Sequence, residues 1–351
     1  MSRWASDPDA AADQLIIRCL DDIDVAGRVL LANQTGGVAP LLTERGAPFA
    51  VWNRRLTLHA SAQEWPPAGP FDVVLLRLPK AKDEQEMAAH ACLGALVSGG
   101  RLVVYGGNDE GIRSAGGRLE GLCGTVETVA ARGHGRVLMA RRPLHITRLR
   151  AALADWRTVE TLAMAGGQRA WVTYPGVFAK GRIDEGTALL VGALPSLPAG
   201  AAVLDYGCGT GVITAHARAK EPSLTVDMLD NDAVALAAAR ENVPEARAVL
   251  GARVADAGGG RYAAILSNPP LHRGIAEDHA LLHQLIADAP KALAPGGLLQ
   301  IVVQRRIPLD KLLAQHFADV TIAAETGSFR VWRAVRGADP ARALPRRERR
   351  S

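Results

Sequence analysis

At 351 residues, with 48% apolar and 22% charged side chains, the chain has the length of two ordinary globular domains and a composition that excludes a disordered or fibrous protein. No run approaches the roughly 18 apolar residues that a membrane span needs. The formal net charge of +5 is compatible with a polyanionic partner and is modest for this length.

The chain opens with Met1, Ser2, Arg3 and Trp4, then Asp7 and Asp9. This is not the basic-then-apolar order of a signal peptide, so a cytoplasmic location without a membrane partner is expected. Cys19, Cys92, Cys123 and Cys208 form no CxxC pair, which argues for reduced thiols and against a metal site. Three blocks follow in the first half: GRVLLANQTGGVAP (27–40), FDVVLLRLP (71–79) and ALVSGGRLVVY (95–105). Each can be laid on a later block: AAVLDYGCGTGVIT (201–214), YAAILSNPP (262–270) and ALAPGGLLQIV (292–302). Three matches in one order suggest a duplicated α/β domain. The copies differ where chemistry would sit. The first has Leu31, Asn33 and Thr35 in place of Asp205, Gly207 and Gly209, and Arg77, Leu78, Pro79 in place of Asn268, Pro269, Pro270.

The expected organisation is therefore a degenerate domain over 1–155, a linker over 156–174, a catalytic domain over 175–335 and a basic tail over 336–351. That tail holds six arginines against two carboxylates, nearly all the excess charge, and reads as a solvated tail or an RNA-contacting arm. In the catalytic half, apolar runs at 201–207, 224–230, 262–268 and 297–304 read as strands, and 232–243 and 277–294 as helices. Their alternation predicts a parallel sheet with right-handed crossovers.

Asp205, Gly207, Gly209 and Gly211 form D-x-G-x-G-x-G where the first of these strands turns into a helix, and the glycines allow close backbone approach by a ligand. A dinucleotide fingerprint would need glycine at 212, which is valine, and the carboxylate of Asp205 suits a cationic ligand better than a pyrophosphate. Asp230 ends the next strand, placed to accept hydrogen bonds from a ribose diol. Asp256 either accepts from an adenine amino group or begins the following Gly-rich turn. Together with Cys208 inside the loop and Asn231 beside Asp230, these residues describe a site for S-adenosylmethionine (SAM). After the strand YAAIL comes the run Ser267, Asn268, Pro269, Pro270, whose two prolines remove N–H groups and leave the carbonyls of Asn268 and Pro269 free to accept hydrogen bonds. The Asn268 amide oxygen and the Pro269 carbonyl can accept both hydrogens of an exocyclic amine and turn its lone pair toward a sulfonium methyl.

The runs PGVFAKGRIDEGTALLVGAL (175–194), VLDYGCGTGVI (203–213), SNPPLHRG (267–274), LAPGGLLQIVV (293–303) and ETGSFRVWRA (325–334) resemble the bacterial ribosomal RNA guanine-N2 methyltransferases. The likeness implies two tandem Rossmann-like class I methyltransferase domains, the N-terminal one degenerate. It also implies methyl transfer from SAM to guanine N2 in rRNA, most simply small-subunit 16S rRNA, by a monomer acting on RNA or a ribosomal subunit. Asn268, Pro269 and Pro270 would be catalytic. Leu271, His272 and Arg273 would lie beside the base, and Phe178 and Asp184 would approach the methionine part of SAM. Leu271 departs from the family, which usually has an aromatic residue there for the base to stack on. Adenine N6 or a protein glutamine as acceptor, or a non-catalytic SAM-binding ribosome-assembly protein, remain the alternatives.

Overall fold

The structure, a computed structural model, describes residues 8–34, 36–56, 61–164, 166–258, 261–269 and 275–338. Contacts divide the chain into two compact units, one of residues 1–159, 172–180 and 231–237, the other of 160–171, 181–230 and 238–351. Among the described residues no helix is long and apolar enough to cross a membrane.

The first unit contains α1 (Pro8–Ile23), β1 (Val29–Ala32), α2 (Ala39–Glu44), β2 (Phe49–Trp52), β3 (Phe71–Arg77), α3 (Lys82–Ala95), β4 (Leu96–Gly107), α4 (Ile112–Cys123), β5 (Val126–Arg132) and β6 (Gly135–Arg141). Its strands form one sheet in the order β2-β1-β3-β4-β6-β5. The first four are parallel, and β6 pairs antiparallel with β4 on one side and with β5 on the other. β1 and β3 are almost wholly buried and apolar, as a sheet covered on both faces requires.

A two-stranded sheet of β7 (Thr158–Met164) and β8 (Gly167–Thr173) stands where the sequence suggested a linker. The second sheet is built from β9 (Ala202–Tyr206), β10 (Thr225–Asp230), β11 (Arg247–Leu250), β12 (Tyr262–Ser267), β13 (Leu293–Gln304), β14 (Asp319–Glu325) and β15 (Phe329–Val335). Its helices are α5 (Glu185–Gly192), α6 (Val212–Lys220), α7 (Ala233–Asn242), α8 (Ile275–Ala292) and α9 (Asp310–Ala314).

The order β11-β10-β9-β12-β13-β15-β14 repeats that of the first sheet with one strand added at the β11 edge. The echo extends to irregularities. Register shifts fall between Phe71 and Val73 and between Tyr262 and Ala264, and again between Thr128 and Ala130 and between Ile322 and Ala324. β4 and β13 share one pattern of burial along all twelve residues. The two units are thus tandem Rossmann-like α/β domains of one plan. In the second, the chain runs from β9 to β10 on one side and returns to β12 on the other, so the carboxyl ends of β9 and β12 flank the switch point where such sheets bind ligands.

Candidate functional site

The glycine-rich loop leaves β9 and is folded by its own backbone and by β10. The N–H groups of Gly207 and Cys208 both donate to Leu229 O, at 2.8 and 3.0 Å, and Gly209 N–H donates to Asp230 Oδ2 at 2.8 Å. Gly209 has φ of +54°, and a Cβ there would meet nothing within 4 Å. The loop therefore bends away from open space. Gly211, at φ +89°, is fixed by packing instead: a Cβ would lie 3.2 Å from Met228 Sδ and Val243 Cγ2.

Asp205 does not face that space as a solvated carboxylate. It is fully buried, and its Oδ2 accepts from both the backbone N–H and the hydroxyl of Thr214, at 3.1 and 2.7 Å, which ties β9 to α6. Its Oδ1 is buried with no hydrogen-bond partner among the described residues. Burial pushes the Asp205 pKa up to about 7; the Thr214 bonds oppose this and Asp230 adds to it. Burial likewise pushes the Cys208 thiol well up, so Cys208 is a neutral packing residue of the loop.

This pKa gives stability a sign. Between the ordinary carboxyl value of 3.8 and about 7, the native state keeps a proton that the unfolded chain has lost. Stability is then undiminished by Asp205 below the lower value, falls as pH rises to the upper one, and stays reduced above it. Asp205→Asn, which keeps an acceptor for Thr214, is expected to raise Tm relative to the parent at pH 8 and not at pH 4. Thermal denaturation at the two pH values checks this.

Asn268 follows β12 directly. Its Nδ2 lies 2.8 Å from Thr187 Oγ1 and 3.3 and 3.4 Å from the two oxygens of Asp184. Thr187 spends its hydroxyl proton on Asp184 Oδ2 at 2.6 Å, so toward Asn268 it can only accept. Asp184 can only accept as well. The orientation of the Asn268 amide is therefore forced: the NH₂ is held by the first turn of α5, which leaves Oδ1 as an acceptor that neither Asp184 nor Thr187 uses. Asp184 also caps α5 by accepting from Thr187 N–H at 3.1 Å. Below Asn268, the buried Ser267 donates to Tyr206 O at 2.8 Å, and Pro269 is buried.

Asp230 and Gly209 bring a half-buried carboxylate, a loop amide and open space together. With the unpartnered Asp205 Oδ1 behind them, they fit a cofactor that carries both hydroxyl donors and positive charge. Among the described residues no group of three or more His, Cys, Asp or Glu is placed to hold a metal ion.

The Methyltransferase small domain family matches residues 169–333, and the Methyltransferase small domain N-terminal family matches 51–141. The Ribosomal RNA small subunit methyltransferase C of Pseudomonas fluorescens is 34% identical over 282 residues, covering 77% of this chain and 81% of the relative. The protein of that name from Shewanella halifaxensis is 32% identical over 293 residues, covering 82% and 84%. The chain belongs to the ribosomal RNA small subunit methyltransferase C family. Among solved structures, the T. thermophilus 16S rRNA N2 G1207 methyltransferase in complex with AdoMet and guanosine has a TM-score of 0.79. It is 22% identical and covers 95% of this chain and 93% of its own, so it bears on the fold.

In this family member, the remaining residues singled out by sequence separate into three groups. Asp256 lies inside the turn 254–257, its Oδ2 accepting from Ala252 and Arg253 N–H at 2.8 and 2.9 Å. Phe178, half-exposed in a short 3₁₀ turn, and Asn231, whose carbonyl accepts from Leu56 N–H at 2.9 Å, belong to the first unit. Pro270, Leu271, His272 and Arg273 lie outside the described residues, as do Thr35 and residues 339–351 of the tail.

Sequence reasoning missed Thr187 and Trp171. The fully buried Trp171 of β8 donates from Nε1 to Thr210 Oγ1 at 2.9 Å, and Asn242 Nδ2 donates to Thr210 O at 3.1 Å. Thr210 sits between Gly209 and Gly211, so two distant elements clamp the loop from behind. The run Asp184-x-x-Thr187 carried a helix-cap signal. Nothing local marked Trp171.

Proposed function

We propose that this methyltransferase transfers a methyl group from SAM to the exocyclic N2 of a guanine in small-subunit 16S rRNA, with residues 1–155 as a non-catalytic supporting domain and 175–335 as the catalytic one. The observation that carries the reading is the Asn268 amide, whose nitrogen is committed to Asp184 and Thr187, which leaves its oxygen as the acceptor. The named activity of the T. thermophilus enzyme and the names of the curated relatives support the choice of acceptor.

SAM supplies an already activated methyl on a sulfonium. What the protein must add is alignment, which in favourable systems is worth up to roughly 7–11 kcal/mol. Asp230 would accept from the ribose hydroxyls, and the Gly209 turn would leave room for the ligand. Asn268 Oδ1 and the Pro269 carbonyl would each accept one N2 hydrogen. This directs the nitrogen lone pair along the line of attack and stabilises positive charge as it develops on the amine. The guanine must leave its stack to reach this edge.

Incubating the purified chain with labelled SAM and undermethylated small subunits, followed by nucleoside analysis, tests the assignment. N2-methylguanosine is the expected product. Label on adenine, on protein, or nowhere overturns it. Trp171→Phe keeps the ring and removes the donor to Thr210. It is expected to weaken SAM affinity by about twofold to tenfold, the worth of one net hydrogen bond. Calorimetric titration with SAM measures that change, and kcat at saturating SAM should stay near the parent value.

A further inference from the structure

The geometry points to a second RNA-binding element: a cavity between α3 and α4 of the first unit that takes one unstacked nucleotide of the substrate. The inference rests on the rRNA reading above and adds a site outside the catalytic half. The cavity measures about 460 Å³, within the range of small-ligand sites. Its floor is apolar, formed by Leu76 of β3, Val104 of β4, and Leu119 and Leu122 of α4. Arg118, Arg148 and Arg150 also line it, against a single carboxylate, Glu86. An apolar slot edged by excess guanidinium charge matches a flat base joined to a phosphate.

The cavity exists because large side chains are missing. β4 and β13 correspond at an offset of 197, which sets Gln85 and Ala89 of α3 against Leu282 and Ile286 of α8. In the second unit, those two residues pack with Leu309, Leu313 and Phe317 in one buried cluster. In the first unit, α4 places Gly117 and Gly121 along the opening, and a Cβ at either would meet nothing within 4 Å. Glycine is poor in a helix interior. Packing does not demand it here, and its effect is to leave the opening wide.

The polar groups are ordered. Arg150 N–H donates to His90 Nδ1 at 3.1 Å, and the Arg150 guanidinium lies 3.5 Å from the Trp156 ring centroid while donating to Asp155 O. Arg118 donates to Gln85 Oε1. Arg148 is exposed and makes no ion pair among the described residues.

The test is equilibrium binding of a labelled 16S rRNA transcript to the full chain as a function of salt, with Tm and SAM affinity measured on each variant. Ala89→Leu fills the floor and is expected to weaken RNA binding about tenfold without changing the salt dependence. Gly121→Leu places its side chain in open space, and should weaken RNA binding while Tm holds or rises. Arg148→Gln should lower the slope of log affinity against log salt by about 1. RNA affinity indifferent to both filling variants at unchanged Tm overturns the proposal. So does a cavity that binds guanosine monophosphate and loses it on filling while RNA binding is untouched. The readout is binding, so the variants decide the cavity whether or not methyl is transferred. Failure of the parent chain to bind the transcript overturns the cavity proposal, while transfer to undermethylated small subunits decides the methylation reading separately.

Discussion

Asn268→Ala is expected to reduce kcat/KM for the RNA substrate by about 10²–10³-fold, the range found when one preorganised hydrogen-bonding group is removed from a reacting centre. SAM affinity should change far less, because the acceptor acts on the amine. Single-turnover transfer from labelled SAM, with calorimetry for the cofactor, separates the two. The structure adds a graded series. Thr187→Val removes both the acceptor that holds Asn268 Nδ2 and the donor to Asp184. The amide is then free to rotate, and transfer should fall by a smaller factor, about tenfold, in the parent background. In an Asn268→Ala background the same change should do little further, since the two side chains act as one unit. Additive losses would mean that Thr187 acts through something other than the Asn268 amide.

The second large effect belongs to the first unit. Arg77 stands where Asn268 would be in the second copy, and it is 2% exposed. Its Nη1 and Nη2 donate to the two oxygens of Glu110, both at 2.7 Å, and Glu110 Oε2 also accepts from Gly107 N–H at 2.6 Å. Gln34 fills the neighbouring space, donating to Ala32 O and Leu75 O and accepting from Tyr105 Oη at 3.1 Å. Polar side chains thus occupy the edge of this sheet that in the second unit carries the glycine loop and Asn268. The turn itself survives: Asn33, at the position of Gly207, has φ of +55°.

Glu110→Ala removes the carboxylate to which both Nη atoms of the buried Arg77 donate. It is expected to cost about 3–5 kcal/mol of unfolding free energy, measurable by urea denaturation. Burial pushes the Glu110 pKa up, but hydrogen bonds from Arg77 and Gly107 outweigh it and hold the carboxyl below its ordinary 4.5. A depressed carboxyl stabilises the fold above that value, and the contribution is lost as pH falls through the lowered folded value. The parent should therefore lose stability below about pH 4.5 by a margin that Glu110→Ala lacks. SAM should bind with a stoichiometry of one per chain, since the first unit offers Arg77 and Leu31 where the second offers Asn268 and Asp205.

Much of this was legible in the chain. The glycine spacing fixed a strand-to-helix turn, and three φ values between +54° and +89° at Gly207, Gly209 and Gly211 are what that spacing requires. Asp230 at a strand end and Asn268 after YAAIL were placed by hydrophobic periodicity alone, since a strand pattern fixes where its carboxyl edge falls. The block matches between halves were likewise sufficient for two sheets of one plan; the shared register shifts came from the structure.

The structure decided what the carboxylates do. A spacing can place Asp205 beside a loop, but only packing decides that its side chain is buried on Thr214 rather than open to a ligand. Asp184 and Thr187 meet Asn268 across 84 and 81 residues, and Trp171 meets Thr210 across 39. No local pattern encodes such pairs, because they depend on the order in which strands enter the sheet. The sequence by itself determined the central strands beside the site, the turn and the candidate chemistry, all set by backbone sterics and short-range hydrophobic spacing. Tertiary structure alone decided how the Asn268 amide is held, which polar side chains bond along the sheet edge of the first copy, and where missing side chains leave a cavity, because each is a property of groups distant in the chain and adjacent in space.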